Sequence, residues 1–578
     1  MKKRIFTLLL AGLMAAGMVS CNEQADTGSS TGGSTETTES SAAEETADTG
    51  EITKLQMLSL PANFSGVLEG WAGDVLAQEV GVEIELLPAG DQGEQKLQAM
   101  MASGELCDLV VFKDTKQIEN AIAGDMLLPL DDYQDRMADV YANVPEAVDY
   151  SKEYLSNGTN SLYALPLSIK TSPEVAGNTN AAPLLRYDLY KEIGAPDINQ
   201  MEDLLDILKQ MQDLEPTNED GQKVYGLSIW ADWDRAYMAT AGFAGKNVGV
   251  TMPGEGYPIE IHNNEDNKVY SITDENSFYM RFLKFYYDAN QLGILDPDSM
   301  TQRFDDAVDK TASGRVLMMY DGWGTGNFST AERENQNIGF ARVPMVGEIA
   351  VQDSLQPVGK EWRISVGKST EAPEKCADFL NYIYSFEGAM TVINGPRGVI
   401  WDINEENKPY ILEEGYSYLL DPEKELPGGM PLSKGLGLMN CNAYVGAEIN
   451  TDYDTPLGNE YWEKPDYAPE DTELVKTWQA DYGAKDLLTY LNQIDAVTIA
   501  PFAPTPTMTD EMELISSRVG DVIKTMSWQM IYAKDEAEFN ALKEEMISKA
   551  EGLGINDFLE WFQTEYEAAL EFGKQYTE

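Results

Sequence analysis

Beyond residue 52 the apolar positions alternate between two periods. Segments 54–58, 82–87 and 109–112 carry the short apolar runs of strands, whereas 66–80 and 95–102 repeat apolar residues at helical spacing, the latter with Leu97, Met100 and Met101 on one side. That alternation predicts a mostly parallel sheet covered by helices on both faces, with ligands held beyond the carboxyl ends of its strands, near loops 59–66, 88–93 and 113–116. A second unit opens near Leu184. Asn199 and Glu202 fit a capping box ahead of Met201, Leu204, Leu205, Leu208 and Met211. A turn at 217–221, a strand at 224–230, an aromatic helix around 282–287 and a strand at 315–320 follow. The chain is then expected to return to the first unit through 338–343 and 362–366. There a helix led by Pro373 sets Cys376, Phe379, Leu380, Ile383 and Tyr384 on one face. Region 422–506, rich in Gly, Pro, Tyr and Asp, reads as surface loops. Thr509 then caps helices carrying Met512, Ile515, Val519, Val522, Ile523 and Met526 on one side.

The first 52 residues follow neither period. Lys2, Lys3 and Arg4 precede an apolar run at 5–19 that is short for a bilayer span, and Ser20-Cys21 follows. This is a secretory leader ending at a cysteine, and Met18-Val19-Ser20-Cys21 resembles a bacterial lipobox, which implies acylation of Cys21 and cleavage before it. Residues 22–50 are Ser, Thr, Gly, Ala and Glu with few apolar side chains, a composition that cannot offset its ordering entropy and reads as a tether.

Charge and rare residues narrow the chemistry. The 578 residues carry 41 Lys and Arg against 98 Asp and Glu, a net charge of -57, which disfavours nucleic acid and anionic surfaces as partners. Three cysteines follow Cys21, so Cys107, Cys376 and Cys441 allow one disulfide at most; Cys107 and Cys376 read as small buried apolar residues. The one histidine, His262, sits in the polar run 262–267 and reads as an exposed turn residue, leaving no multi-histidine metal site. Asn218, Asp220 and Gly221 suggest a calcium loop, but the closing acid is missing, so a plain turn is expected and no metal or cofactor is assigned.

Six runs carry a resemblance in their order and spacing: KLQAMMASGELCDLV at 96–110, LLPLDDY at 127–133, LYALP at 162–166, LRYDLYKEIG at 185–194, GRVLMMYDGW at 314–323 and APEKCADFL at 372–380. Together with the helical tail they resemble the extracellular solute-binding proteins of bacterial ABC importers, of the sugar-type family 1 and its large lipoprotein subgroup. The resemblance implies an α/β, two-lobed periplasmic-binding-protein-like fold of type II, closing on ligand in a cleft between hinged lobes. It implies a leader at 1–20 and acylated Cys21 with the tether to 52. Lobe one is expected from 53–166 with about 328–385, lobe two from 167–327 with about 386–508, and helices packing on the lobes from 509–578. The implied protein is a monomer outside the cytoplasm of a Gram-positive cell, lipid-anchored, non-enzymatic, and partnered by ABC permease subunits.

A sugar presents flat C–H faces and hydroxyls, so its cleft needs aromatic platforms and short polar groups. Trp323 is the first candidate, with Asp321, in the glycine-rich loop DGWGTGN at 321–327 that follows a strand. Trp230, Trp233, Trp362 and Trp401 are further platforms, each with core burial as the competing fate. Asn63 and Asp91 lie in loops expected at strand ends. Lys170, near the crossover after Pro166, is grouped with Arg363 and Arg397 as donors to hydroxyls or to a uronic acid, although structural carboxylates compete for cations in so acidic a chain. The cargo expected is a carbohydrate, an oligosaccharide by the size of the chain. A peptide or other polar solute is the alternative on the same fold. A surface glycan hydrolase is the alternative from another class, since two carboxylates about 5–10 Å apart would suffice.

Overall fold

Leu109–Phe112 is buried at every position because it lies between two cores: Leu109 and Val111 join one apolar cluster, Val110 and Phe112 another on the opposite face. It is central in a six-stranded sheet ordered Gly66–Val67, Val82–Leu86, Thr53–Ser59, Leu109–Phe112, Arg363–Val366, Ala164–Pro166. Thr53–Ser59 runs parallel to both Val82–Leu86 and Leu109–Phe112, whereas Arg363–Val366 is antiparallel to both of its neighbours. The computed structural model describes residues 52–576 apart from 63, 89, 173–180, 255, 354, 360–361 and 422. The expected leader, Cys21 and nearly all of the tether lie outside the described residues.

A second sheet, of four strands, is ordered Phe340–Arg342, Leu184–Arg186, Val316–Met319, Tyr225–Leu227. Its main core includes Leu208, Phe282, Tyr286 and Leu317, together with Val519, Ile523 and Met526 from the helix Asp510–Ile531. Thr509 caps that helix by accepting from the Met512 N–H, as its sequence predicts. Pro373 likewise opens the helix Pro373–Tyr384, with Cys376, Phe379, Leu380, Ile383 and Tyr384 buried. A three-stranded sheet, Val250–Thr251, Ile259–His262 and Lys268–Ser271, flanks this second lobe. Cys107, Cys376 and Cys441 are all free thiols, the last two buried.

Several local expectations are corrected. Gly66–Val67 is an edge strand paired with Val82–Leu86, and the helix begins only at Gly70. The capping box is absent: Asp203 accepts from the Asn199 N–H at 2.8 Å, while Glu202 pairs with Arg281 at 2.6 Å. His262 is not a solvated turn residue but lies buried in Ile259–His262, its Nε2 2.6 Å from Glu260. Glu260 has no exposure and accepts from the N–H groups of Phe278 and Tyr279 at the start of a helix, which explains why a strand can bury both residues.

Two longer stretches pack differently from the expected lobe division. Phe340–Arg342 pairs with Leu184–Arg186 in the second sheet rather than returning to the first. Much of 386–462 packs on the first sheet: Met390, Trp401, Tyr418, Leu436, Cys441 and Trp462 share one cluster with Leu55, Ile84 and Val111. Its apolar residues follow no single period, because they are delivered by short helices, hairpins and loops.

Candidate ligand cleft

The connections fix which ends of the sheets face each other. Ala164–Pro166 points the same way as Leu109–Phe112, since both are antiparallel to Arg363–Val366, so the crossing 167–183 leaves from the carboxyl ends of the first sheet. It enters Leu184–Arg186, which is antiparallel to Val316–Met319 and so begins where that strand ends. The return crossing 343–362 leaves from the carboxyl end of Phe340–Arg342 and enters Arg363 at the corresponding end of the first sheet. Both crossings therefore join carboxyl ends, and the cleft between the lobes is where an open α/β sheet binds ligand.

The crossings are themselves paired. The Lys170 N–H donates to the Gln356 carbonyl at 3.0 Å and the Gln356 N–H returns to the Lys170 carbonyl at 2.7 Å, while Ile169 donates to Ala443 at 2.9 Å. Glu448, buried beside them, accepts from the Thr171 N–H at 2.5 Å, the Thr171 hydroxyl at 2.6 Å and the Ser172 N–H at 3.3 Å. Lys170 is buried in this strap.

Aromatic side chains build the wall on the second lobe. Trp323 is 67% exposed, an unusual degree for so large an apolar side chain. Its ring meets Phe243 edge-on at 6.5 Å, Phe243 lies 6.5 Å from Trp233, and Trp233 lies 4.5 Å from Phe304. Trp230, 1% exposed, is the floor beneath Trp233 rather than a platform, which corrects its assignment. Asp321 is also corrected: it has no exposure, and its Oδ1 accepts from the Gly324 N–H at 3.0 Å, so it shapes the loop that presents Trp323. Burial pushes its carboxyl above the usual range, opposed by backbone N–H groups and the Arg342 guanidinium. Burial in turn pulls Arg342 down to about 10, while its Nη1 donates to the carbonyl of Ala182 at 2.6 Å, tying the crossing to the second sheet.

On the first lobe, Trp362 is half-buried against the core and Arg363 is buried, donating to the Trp362 carbonyl at 3.0 Å. The loop after Phe112 supplies Lys113 and Asp114; Asp114 caps the helix Thr115–Ala123 through the Gln117 N–H at 2.8 Å. Lys116 reaches Asp510 at 3.0 Å, an ion pair between a helix of the first lobe and a helix rooted in the second. Asp234, behind the aromatic wall, accepts from the Ala239 N–H and from the Trp528 indole N–H, both at 3.0 Å, and burial pushes its carboxyl up to about 6.

Two candidates lie away from the cleft. Trp401 has no exposure, donates to the Gly395 carbonyl at 2.8 Å, and sits 5.9 Å from Trp462 in the first core. Arg397 pairs with Glu387 at 3.1 Å and Asp402 at 3.0 Å, beside Gln78 and Glu79 near the amino end of Val82–Leu86. Asn63 lies outside the described residues, as does the side chain of Asp91, whose backbone is in the helix Gly90–Ser103. The expected turn at Asn218 is present, its Oδ1 accepting from the Gln222 N–H at 2.8 Å. Sequence reading missed Phe243, Phe304, Arg342 and Asp234; only the placement of Arg342 at a strand end could have signalled its role. A groove of about 490 Å3 lined by His262, Arg281 and Lys543 lies on the outer flank of the second lobe, not between the sheets.

Two α/β lobes with facing carboxyl ends, a paired hinge and an aromatic wall define a two-lobed solute-binding protein. A family model described as bacterial extracellular solute-binding protein matches residues 71–400, more than half of the chain, and the chain belongs to that family. Its members act outside the cytoplasm, and no helix among the described residues is long and apolar enough to cross a membrane. No curated protein matches the chain by sequence. Its fold is shared with an HMO-binding, ABC-transporter-associated solute-binding protein of Bifidobacterium longum infantis, at 14% identity and TM-score 0.57 over 90% of this chain and 99% of that one. It is similar also to the alginate-binding protein AlgQ2, at 16% identity and TM-score 0.59 over 91% and 100%. A third similar structure is the Streptococcus pneumoniae substrate-binding protein FusA in complex with kestose, at 16% identity and TM-score 0.57 over 89% and 99%.

Proposed function

We propose that this protein captures a carbohydrate, an oligosaccharide, by closure of its lobes and delivers it to an ABC permease, while a lipid on Cys21 holds it at the cell membrane. The observation that carries the reading is the exposed Trp323 at the end of the wall formed by Trp233, Phe243 and Phe304. An indole left 67% exposed at the mouth of a cleft offers the flat apolar face that stacks on a sugar ring. Alginate and kestose, named for two of the similar structures, are carbohydrates, which supports the same class of cargo. Arg363 begins its strand at the carboxyl end of the first sheet, so a ligand touching both lobes favours the shut state and binding free energy shifts the population. No step of this cycle makes or breaks a covalent bond.

A thermal-shift screen of the soluble chain from Thr53 against neutral and uronic oligosaccharides, monosaccharides and peptides tests the reading. Ligand that binds only the native state raises the melting temperature by mass action. The expected result is a saturable shift with one oligosaccharide class and unchanged sugar after incubation. A shift with peptides alone, or release of new reducing ends, overturns it.

A further inference from the structure

The last helix, Ile555–Lys574, is rooted in one lobe and ends on the other. Its Phe558, Phe562 and Tyr566 pack on Ile259, Ile261 and Val269 of the three-stranded sheet beside the second lobe. Twenty residues of helix span about 30 Å, long enough to carry its other end past the hinge. There Phe572 meets Tyr154 edge-on at 5.0 Å and Tyr150 at 5.9 Å, both in the helix Pro145–Tyr154 of the first lobe. Tyr576 continues the cluster, 5.3 Å from Phe572 and 6.0 Å from Phe502. Val358 of the return crossing is buried in the same cluster. Gly573 lies so close that a Cβ there would collide with the Phe502 carbonyl oxygen.

This cluster differs from a core in being half open to water. Tyr154 is 46% exposed, and Phe572 and Tyr576 are half-buried over the buried Tyr150 and Phe502, so the outer rings lie at the surface and the cluster stands apart from the main core of either lobe. It also reaches the cleft: the Tyr150 hydroxyl accepts from the side chain of Arg363, which heads a strand there. A contact formed between two moving bodies in one arrangement stabilises that arrangement over others.

We propose that the Tyr150–Tyr154–Phe572–Tyr576 cluster is a releasable clasp, through which the C-terminal helix sets the balance between the conformation described here and a more open one. The clasp rests on the reading of the cleft as one that opens and closes. Removing one ring pair shifts the population ratio by about two- to ten-fold toward the open form, and apparent ligand affinity falls with the competent fraction.

The test uses the ligand-free soluble chain from Thr53 with spin labels at Ser103→Cys and Ser313→Cys, exposed positions on the first and second lobe, read by pulsed dipolar spectroscopy. Phe572→Ala, Tyr154→Ala and Gly573→Ala are each expected to add a longer distance to the wild-type distribution. Trp561→Ala, on the same helix but packed with Phe558 and Phe562 away from the clasp, is expected to leave the distribution unchanged. Tyr154→Ala removes a half-exposed ring and keeps the test intact if a more buried variant fails to fold. Wild-type distributions for both Tyr154→Ala and Phe572→Ala would overturn the clasp while leaving the carbohydrate reading to its own binding screen; a longer distance in Trp561→Ala equal to theirs would also overturn it.

Discussion

Asp234 makes the stability of the second lobe depend on pH in a direction opposite to that of an ordinary paired carboxylate. Burial is the main cause of its rise from 3.8 to about 6, only partly offset by the donors Ala239 and Trp528 and by Lys524 nearby. Below about pH 4 the acid is neutral in both the folded and unfolded chain. Between there and pH 6 the unfolded chain has released the proton while the folded one retains it, so stability falls as pH rises. A difference of about two pH units corresponds to roughly 3 kcal/mol, fully present below the unfolded value and lost above about pH 6. Asp234→Asn removes the titration but leaves only one oxygen for two N–H donors, a cost of about 1–3 kcal/mol for the one left unpaired. Urea unfolding of the wild type and the variant at pH 4, 5, 6 and 7, followed by tryptophan fluorescence, separates the two effects. The stability of the wild type minus that of the variant should drop by up to about 3 kcal/mol across the series, other titrating groups cancelling in the difference. Parallel curves would refute the assignment of a buried, proton-retaining Asp234.

Trp401→Ala should destabilise the protein by about 3–5 kcal/mol, because it empties a closed core site and strands the Gly395 carbonyl, whereas Trp323→Ala should change stability by less than about 0.5 kcal/mol; equal denaturation midpoints for the pair would contradict their placement. Glu448→Gln should cost about 1–3 kcal/mol in the same assay, since an amide cannot accept from three donors at the hinge strap as a carboxylate does, and a neutral outcome would show that the strap does not depend on it. Burial pushes the Cys376 thiol up to about 12 and raises Cys441 as well, so neither should react with a disulfide reagent at pH 8 until the chain unfolds; fast labelling of two native thiols would be inconsistent with their burial.

Strands and helices were readable where each element repeats with one period: in the first lobe Leu109–Phe112 divides its residues between two cores and Pro373–Tyr384 sets its own on one face, as Asp510–Ile531 does in the second. Trp323 was readable because a glycine-rich loop after a strand lets an aromatic side chain stand clear of the core. What failed did so where tertiary pairing decides. Phe340–Arg342 is a short segment that either sheet could accept, and its register against Leu184–Arg186 is written nowhere in its own residues. His262 looked solvated because its neighbours 263–267 are polar, while the residue that buries it, Glu260, owes its own burial to N–H groups of a helix that starts at Phe278. Trp401 and Trp323 are both followed or preceded by an aspartate and glycines. Only the packing against Trp462 tells the buried indole from the exposed one.

Calorimetric titration of the soluble chain with the oligosaccharide selected by the thermal-shift screen, repeated with Trp323→Ala, tests the central claim most directly. Loss of one stacked ring face is expected to weaken binding by about 1 kcal/mol or more, at least roughly five-fold in Kd, with one site per chain and the variant's melting temperature unchanged. Binding of equal strength in Trp323→Ala, or heat from continued turnover of the sugar, would contradict a carrier whose cleft grips a carbohydrate on that indole.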